Sequence, residues 1–206
     1  MADIEELAQR LRLQAGPFSR YMVGIAGPPG SGKSTLSDQL CETLKDSGET
    51  AVVVPMDGFH FDDAILNARG HRSRKGAPHT FDVAGFEVLL KRIKAHEPNI
   101  AIPVFDRSME LARAGADIIP ADTKFILVEG NYLLLEQPGW EHLKPLLDFT
   151  ISLQVSEGEL ERRLLARWRG LGFDEAAARA KALSNDIPNA RLVLAGSAAA
   201  DLMIAS

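Results

Sequence analysis

A glycine-rich segment is the part of the sequence whose residue types and spacing point most specifically to chemistry. Residues 27–34, GPPGSGKS, fit the pattern G-x-x-x-x-G-K-[ST], follow an apolar run and open an amphipathic one. The glycines let backbone N–H groups surround phosphate oxygens, and the helix start adds its positive dipole end. In such a loop Lys33 reaches the β- and γ-phosphates, and Ser34 offers its hydroxyl to Mg²⁺. The predicted nucleotide contacts are Gly27, Pro28, Pro29, Gly30, Ser31, Gly32, Lys33, Ser34 and Thr35.

Two acidic residues follow other apolar runs and are candidates for the same site. Glu129 comes after FILV, and Asp57 comes after AVVVPM. The carboxyl ends of parallel strands face one crevice, so we expect both carboxylates beside the phosphate-binding loop. We assign Glu129 to Mg²⁺, directly or through water, rather than to a loop or a helix start.

The residues around Asp57 allow two interpretations. Asp57 followed by Gly58 is by itself typical of a turn, but the next residues, which include Phe59 and His60, are poor turn residues and suited to substrate contact. A carboxylate at this position can accept the proton of an attacking hydroxyl. The acid pair at 62–63 precedes AIL and is interpreted as a helix start with a capping role.

A dense basic cluster follows in ARGHRSRKGAPHTFD, within a chain that is otherwise acidic. Three interpretations are open: a nucleic-acid patch, a solvated loop, or a mobile flap whose cations hold an anionic or polyhydroxyl acceptor. The nucleic-acid interpretation is the least favoured, because one loop without basic neighbours is a small footprint. Asp82 is interpreted as the cap of the next helix. The cluster consists of Arg69, His71, Arg72, Arg74 and Lys75.

The segment PVFDRS follows a predicted strand and is therefore expected at the same rim. Phe105 can form an apolar wall for a substrate, and Arg107 can hydrogen-bond its oxygens. The alternative is core packing for Phe105 and a surface ion pair between Asp106 and Arg107.

The segment LERRLLARWRGLGF predicts a helix with more arginines than a solvated face needs. An arginine in a lid offsets the charge that spreads over the oxygens of a moving phosphoryl group. We predict this catalytic role for Arg163 and Arg167, with Arg169 in reserve. The following SNDIPNARL predicts a helix end, a turn at Pro188 and a new helix capped by Asn189.

Short apolar runs alternate with longer amphipathic ones along the chain, which predicts an α/β fold with a parallel sheet covered on both faces. No repeat or linker divides the chain, so we expect one domain over residues 1–206. The predicted strands are residues 21–26, 51–56, 100–104, 125–128, 149–154 and 202–205. The clearest predicted helices are residues 4–13, 33–46, 85–95 and 157–169.

Composition narrows the class of protein. The 206 residues are 46% hydrophobic and 25% charged, which suits a globular domain with a real core. A net charge of −5 argues against a nucleic-acid partner. We expect no membrane partner and a cytoplasmic location, since no apolar stretch approaches ~18 residues and the first residues include acids. One cysteine excludes an internal disulfide, and with five scattered histidines it gives no zinc spacing.

Five segments carry a resemblance to a known family. They are GPPGSGKST, MDGFHF, RKGAPHTFD, PVFDRS and LVEGNYLLL. In this order and at these intervals they resemble the P-loop kinases that include uridine kinase, bacterial pantothenate kinase and phosphoribulokinase. The resemblance runs from about Val23 to the carboxyl terminus and is nearest to bacterial nucleoside kinase-like, fructose-transport-associated kinases labelled as fructokinases. The acid-Gly-Phe-His strand end with VEGNYLLL is far more selective than the glycine-rich loop.

The resemblance implies a P-loop NTPase fold of three layers, α/β/α, with a mostly parallel central sheet and a helical lid at about residues 157–190. It implies transfer of the γ-phosphoryl group of ATP to a substrate hydroxyl, with Asp57 at the position of the family's catalytic acid. It also implies that Ser34, Asp57 and Glu129 surround Mg²⁺, and that the basic loop lines the acceptor site. The acceptor contacts expected from these arguments are Phe59, His60, Arg74, Lys75, His79, Phe81, Phe105 and Arg107.

The identity of the small-molecule acceptor is left open. A sugar such as fructose is slightly ahead of a nucleoside or pantothenate, since uridine kinases usually show a tyrosine and a histidine where this chain has Phe105 and no histidine. The alternative from another class is a nucleotide-dependent regulatory switch or a metal-delivery protein. An inactive binding module is disfavoured, because Lys33, Ser34, Asp57 and Glu129 are all present. Whether two copies form a homodimer is also left open.

Overall fold

Helices and strands alternate along the chain for most of its length. The computed structural model describes residues 3–205. Its α-helices are α1 (Ile4–Ala15), α2 (Lys33–Asp46), α3 (Asp63–Ala68), α4 (Val83–Lys94), α5 (Glu157–Gly170), α6 (Glu175–Lys181) and α7 (Ile187–Gly196). Its strands are β1 (Tyr21–Ala26), β2 (Ala51–Pro55), β3 (Ile100–Asp106), β4 (Leu111–Ile119), β5 (Phe125–Gly130), β6 (Phe149–Gln154) and β7 (Leu202–Ala205).

Five parallel strands form the central sheet, in the order β2-β5-β1-β6-β7. β1 and β5 are buried along their whole length, as apolar strands covered by helices are. Because β5 lies between β1 and β2, the ends of these three strands are adjacent: Ala26 pairs with Gly130, and Pro55 pairs with Glu129. The sheet therefore brings the glycine-rich loop, Asp57 and Glu129 together, and the predicted α/β fold with a mostly parallel sheet is confirmed.

An apolar core covers each face of this sheet. Val23 and Ile25 of β1 pack with α1 and α2, whereas Met22 packs with Phe86 and Leu90 of α4. Side chains alternate between the faces of a strand, so α1 and α2 lie on one side of the sheet and α4 on the other. Within residues 3–205, no helix is both long enough and apolar enough to cross a membrane.

β3 does not join the central sheet. It pairs antiparallel with β4 in a separate hairpin, where Ile100 pairs with Ile119 and Asp106 with Leu111. The sequence prediction lacks β4 because most of LARAGADII is exposed or partly exposed and has no apolar alternation. The sequence predicts that PVFDRS follows a strand of the central sheet, and this prediction is wrong. This segment belongs to a hairpin that packs beside the sheet.

The predicted turn at Pro188 is wrong. A π-helical turn, Ala182–Asp186, joins α6 directly to α7, and Pro188 is the second residue of α7. Proline lacks an N–H and cannot complete an ordinary helical hydrogen bond, and the wider π-helical turn just before it accommodates the missing bond. Asn189 is consequently a helix-interior residue, 2% exposed, rather than a cap.

The predicted helix caps at Asp62 and Asp82 are confirmed. The side chain of Asp62 accepts a hydrogen bond from the N–H of Ala64, and that of Asp82 accepts one from Gly85. Asp63 has a different role, because its carboxylate pairs with Lys75 across a loop.

Arg20 connects the start of β1 to two other parts of the fold. Its side chain is nearly buried, with the residue 4% exposed, and its guanidinium donates only to main-chain carbonyl oxygens among the described residues. These carbonyls belong to the end of α4 and to the loop before β5. They are those of Ile93, Glu97, Pro120, Ala121 and Thr123.

We expect Arg20→Met to lower the free energy of unfolding by about 2–4 kcal/mol, because it leaves several buried carbonyls without their donor. Urea denaturation followed by circular dichroism measures the change. Arg12→Met is the control, since it removes an exposed pair with Glu49 (3.1 Å) and should cost at most about 1 kcal/mol. Equal losses in the two variants would contradict the role given to Arg20.

Candidate active site

The glycine-rich loop joins the end of β1 to the start of α2. Gly32 has a left-handed backbone (φ 93°) directly before α2, and no described side chain caps that helix, so its first N–H groups can face an anion. A Cβ on Gly27 would lie 2.8 Å from Ser31 Oγ, which leaves no room for a side chain there. Ser31 Oγ is buried and has no hydrogen-bond partner among the described residues. This cradle and its unsatisfied hydroxyl fit the phosphates of a nucleotide.

Lys33 is the first residue of α2, at the end of this loop, and is almost completely buried. The residue is 8% exposed, and its Nζ donates to the carbonyl oxygen of Pro28 at 3.1 Å. Burial lowers the pKa of Lys33, while the negative charges of Glu129 and Asp57 act to raise it. Since burying an ammonium group is costly, phosphate oxygens bound in the loop would stabilise it.

Glu129 and Ser34 form the next part of the site. Ser34 Oγ donates to Glu129 Oε2 at 3.2 Å. Burial raises the pKa of Glu129, Lys33 acts to lower it, and the nearby charge of Asp57 raises it. A hydroxyl and two mutually repelling carboxylates are hard oxygen donors, and a divalent cation beside them would relieve the repulsion. The donor set of Ser34, Asp57 and Glu129 therefore fits Mg²⁺.

Asp57 lies in a 3₁₀ turn, Met56–Phe59, directly after β2. Its Oδ2 accepts a hydrogen bond of 3.0 Å from Nη2 of Arg107, which lies in the turn between β3 and β4. The two segments approach closely, since a Cβ on Gly58 would overlap the carbonyl oxygen of Pro103. Gly58 is thus required by the packing of the hairpin on this turn, and Asp57 and Arg107 meet as a result.

His60 packs against two aromatic rings beside Asp57. The ring centroids of Phe81 and Phe105 lie 4.0 Å and 4.8 Å from that of His60. His60 Nδ1 is 2.8 Å from the carbonyl oxygen of Asp57, and since a carbonyl only accepts, Nδ1 carries the hydrogen. Burial lowers the pKa of His60, with Asp57 opposing, so the neutral imidazole is favoured and its Nε2 is an acceptor.

Two further predicted aromatic contacts, Phe59 and Phe81, pack toward the core. Phe59 packs on Phe86 of α4, with ring centroids 4.9 Å apart. Phe81 is 3% exposed and also contacts Tyr132 and Trp140, two residues that sequence reasoning missed. The ring of Phe81 therefore connects His60 to a separate cavity of about 470 Å³. The lining of this cavity includes Arg74, His79, Phe81, Gln137, Trp140 and Asn189.

The cations of the basic loop are engaged by protein groups. Lys75 Nζ donates to Asp63 Oδ1 at 2.7 Å and to the carbonyl oxygen of Glu110 at 2.6 Å. Arg74 Nη2 donates to Asn189 Oδ1 at 3.2 Å. These bonds attach the loop to α3, to the β3–β4 hairpin and to α7, which differs from the solvated-loop interpretation. Lys75 and Arg74 thus hold neighbouring segments together, and their contact with an acceptor stays a prediction.

The two predicted lid arginines lie near the glycine-rich loop. Arg163 Nη1 donates to the carbonyl oxygen of Ser31 at 3.3 Å. Burial is the main cause that lowers the pKa of Lys33, and the positive charge of Arg167 lowers it further. Arg167 therefore lies within electrostatic range of the loop. Arg169, the reserve candidate, instead forms two hydrogen bonds of 2.6 and 2.7 Å with the first residue of α6. α5 thus places Arg163 against the loop and Arg167 within electrostatic range of Lys33, whereas Arg169 pairs with α6.

The fold and the site together define a class of protein. A parallel sheet whose middle strand leads into a glycine-rich loop and a helix start holds nucleotide phosphates. Here two strand-end acids and an arginine-bearing helix lie beside that loop, and the rings of His60, Phe81 and Phe105 lie next to one of the acids. This arrangement suits phosphoryl transfer to a small acceptor. The class is that of P-loop kinases.

Comparison with known proteins specifies the family. The model of the phosphoribulokinase/uridine kinase family matches residues 22–174. The uncharacterized protein YggC of Escherichia coli (strain K12) is 33% identical over 190 residues, covering 91% of this chain and 78% of its own length. A candidate uridine kinase of Schizosaccharomyces pombe is 31% identical over 183 residues, covering 84% of this chain and 78% of its own length.

A solved structure supports the same family. A candidate fructose transport system kinase from Silicibacter sp. TM1040 is 42% identical with a TM-score of 0.94, covering 99% of this chain and 100% of that one. The chain belongs to the phosphoribulokinase/uridine kinase family. Family members are kinases that phosphorylate hydroxyl groups, so this protein is a phosphotransferase with an alcohol group as acceptor, and the kinase family implies the use of ATP.

The buried His60 predicts a pH dependence of stability. Its pKa is lower in the folded chain than the usual value of about 6.5 in the unfolded chain. Between these two values the unfolded chain binds more protons, so stability falls as the pH drops below about 6.5. We expect His60→Phe, which keeps a ring against Phe81 and Phe105, to reduce this loss. His79, whose pKa burial also lowers, accounts for part of the remainder.

Urea denaturation at about pH 5 and about pH 7.5 measures this effect. His142→Gln is the control, because that side chain is 59% exposed and should leave the wild-type difference between the two pH values unchanged. If His60→Phe shows the full wild-type difference, another group is responsible.

Proposed function

We propose that the protein transfers the γ-phosphoryl group of ATP to a hydroxyl of a small metabolite in a reaction that requires Mg²⁺. The position of Asp57 is the main support for this proposal. Its carboxylate lies 3.0 Å from Arg107 on the hairpin side, and its charge acts on Lys33 and Glu129 on the phosphate-loop side. A carboxylate between a phosphate site and the rings of His60, Phe81 and Phe105 suits the base for an attacking hydroxyl.

Asp57 takes up the proton of the acceptor in this proposal. As the hydroxyl oxygen attacks the γ-phosphorus, its proton passes to the Asp57 carboxylate and a new O–P bond forms. The bond from the γ-phosphorus to the bridging oxygen breaks, and ADP leaves with the electron pair. The products are ADP, a phosphate ester and a proton that Asp57 releases to water.

The remaining residues of the site bind and orient the phosphates. Lys33 and the N–H groups of the glycine-rich loop hold the β- and γ-phosphates. Ser34, Asp57 and Glu129 would hold Mg²⁺, which when bound neutralises phosphate charge. Arg163 and Arg167 offset the charge on the oxygens of the transferred group. We propose that α5 to α7 form the lid, at about residues 157–190.

For the acceptor we propose a sugar such as fructose. Support comes from the 42% identity to a candidate fructose transport system kinase. The acceptor nitrogen Nε2 of His60 and the ring of Phe105 also suit a small molecule with several hydroxyls and an apolar face. Nucleosides and pantothenate are the alternatives, because a candidate uridine kinase and a pantothenate kinase of Leifsonia xyli are among the relatives, at 31% and 29% identity.

We expect Asp57→Asn to lower kcat by about 10²–10⁴-fold, because it removes the proton acceptor, while ATP binding changes little. Steady-state kinetics and calorimetric titration of ATP measure the two effects. Asp62→Asn is a matched control five residues away: asparagine caps a helix about as well as aspartate, so kcat should stay near the wild-type value. Undiminished turnover by Asp57→Asn would exclude Asp57 as the base.

A screen of ATP consumption against sugars, nucleosides and pantothenate, with mass detection of the product, tests the acceptor. We expect a phosphorylated sugar and ATP consumption that depends on the sugar. Slow ATP hydrolysis unaffected by every metabolite would instead favour the nucleotide-dependent switch.

A further inference from the structure

The cavity beside Phe81 is distinct from the site at the phosphate-binding loop. Its volume is about 470 Å³, and small-molecule sites usually measure about 300–1,000 Å³. Lys33, Asp57 and Glu129 are not part of its lining. Phe81 is a lining residue that also contacts His60, with the ring centroids 4.0 Å apart. The cavity therefore lies next to the proposed acceptor side without including the reacting groups.

The apolar walls of the cavity come from three separate segments, and each segment contributes a proline. Pro78 belongs to the basic loop, Pro138 to the segment after β5 and Pro188 to α7. Trp140 and Leu192 complete these walls. The ring of proline fixes its backbone, so the walls are largely preformed. Because Pro138 is exposed, a ligand can enter from solvent.

Arg74 gives the cavity a positive charge that no protein anion neutralises. No aspartate or glutamate lines the cavity. The guanidinium of Arg74 donates to two neutral acceptors, Asn189 Oδ1 at 3.2 Å and the carbonyl oxygen of Ser184 at 3.4 Å. Its Nε is buried and has no hydrogen-bond partner among the described residues. The next residue, Lys75, pairs with Asp63 instead. An anion in the cavity would offset the cost of a partly buried, unpaired cation.

Two further side chains of the lining suit the same kind of ligand. Burial lowers the pKa of His79, and the positive charges of His71 and Arg74 lower it further, so His79 and Arg74 are close together. An anion between them would relieve this repulsion. Gln137 is half-buried and makes no side-chain hydrogen bond among the described residues, so its amide group is available to a ligand.

We infer that this cavity is a second ligand site, which binds an amphipathic anion with a flat apolar body and one carboxylate or phosphate group. Arg74 binds the anionic group, because a guanidinium forms two parallel hydrogen bonds with either anion. The proline rings and Trp140 contact the apolar body. This inference gives Arg74 and His79, two of the predicted acceptor contacts, a ligand other than the acceptor.

The basic loop separates this ligand from the acceptor side. Lys75 Nζ lies 5.2 Å from the ring centroid of Phe105, which packs beside His60, whereas the neighbouring Arg74 lines the cavity. The two ligands thus contact different residues of one loop. The anion is an effector rather than a substrate, and it binds while the phosphate-binding loop holds a nucleotide.

Calorimetric titration with 2-naphthoate, 2-naphthamide and 2-naphthyl phosphate tests the inference. The amide has nearly the shape of 2-naphthoate without its charge, and the phosphate ester distinguishes the two anions. Every titration contains Mg²⁺ and a saturating non-hydrolysable ATP analogue, which keeps the probes away from the phosphate-binding loop. The test variants are Arg74→Gln, Arg74→Lys and Leu192→Trp, which fills the cavity.

Two matched controls accompany these variants. Arg72→Gln removes a guanidinium from the same loop, but Arg72 pairs with Asp63 and does not line the cavity. Leu194→Trp adds the same ring to the same helix, at a residue that is 40% exposed and outside the lining. Urea denaturation followed by circular dichroism shows whether each variant is folded.

We expect the wild type to bind at least one of the two anions about tenfold or more tighter than the amide, as charge-assisted hydrogen bonds allow. Arg74→Gln should lose this preference, and Arg74→Lys should keep part of it, since lysine lacks the second parallel hydrogen bond. Leu192→Trp should weaken the binding of all three probes. Both controls should match the wild type.

Equal affinity of the wild type for the anions and the amide, or no binding of any probe, would overturn the inference and leave the proposed function intact. Equal losses by Arg74→Gln and Arg72→Gln would do the same, because they would indicate general attraction to a basic loop. Binding that disappears when the ATP analogue is added would place the probes at the phosphate-binding loop. If Arg74→Gln does not fold, equal affinities in Leu192→Trp and Leu194→Trp would overturn the inference.

Discussion

The register between β5 and its two neighbours is the constraint on which the site depends. Ala26 pairs with Gly130, and Pro55 pairs with Glu129. The segments that follow β1, β2 and β5 therefore leave the sheet side by side, with their polar residues close together. A slip of one residue would turn every side chain of a strand to the opposite face. Separate apolar cores on the two faces oppose such a slip. Apolar packing therefore determines where the charges of the site lie.

Those charges are stable only as a group. Lys33 and Glu129 are 8% and 9% exposed, and burial lowers the pKa of the lysine and raises that of the glutamate. Each charge favours the ionised form of the other, so removing either one would destabilise the other in a poorly solvated region. Phosphate oxygens and a cation would offset this cost on binding. Buried charges whose pKa values are shifted by burial and by one another cluster at functional sites.

The proposed acceptor side of the site is built from parts outside the central sheet. A hairpin supplies Arg107 and Phe105, a 3₁₀ turn supplies Asp57, and Lys75 and Arg74 tie the basic loop to the hairpin and to α7. Because these parts do not form the sheet, their residues can change without altering the phosphate-binding loop.

The sequence by itself determined the features whose causes lie within a few residues. The glycine-rich loop, the acids at the carboxyl ends of β2 and β5, and the caps at Asp62 and Asp82 follow from local backbone geometry and local hydrogen bonds. The tertiary structure decided the rest: the carbonyl that binds Lys75 is 35 residues away, and the carboxylate that binds Arg107 is 50 residues away. The β3–β4 hairpin and the helix through Pro188 also depend on their packing, because burial in the folded chain, and not local propensity, selects such distant partners.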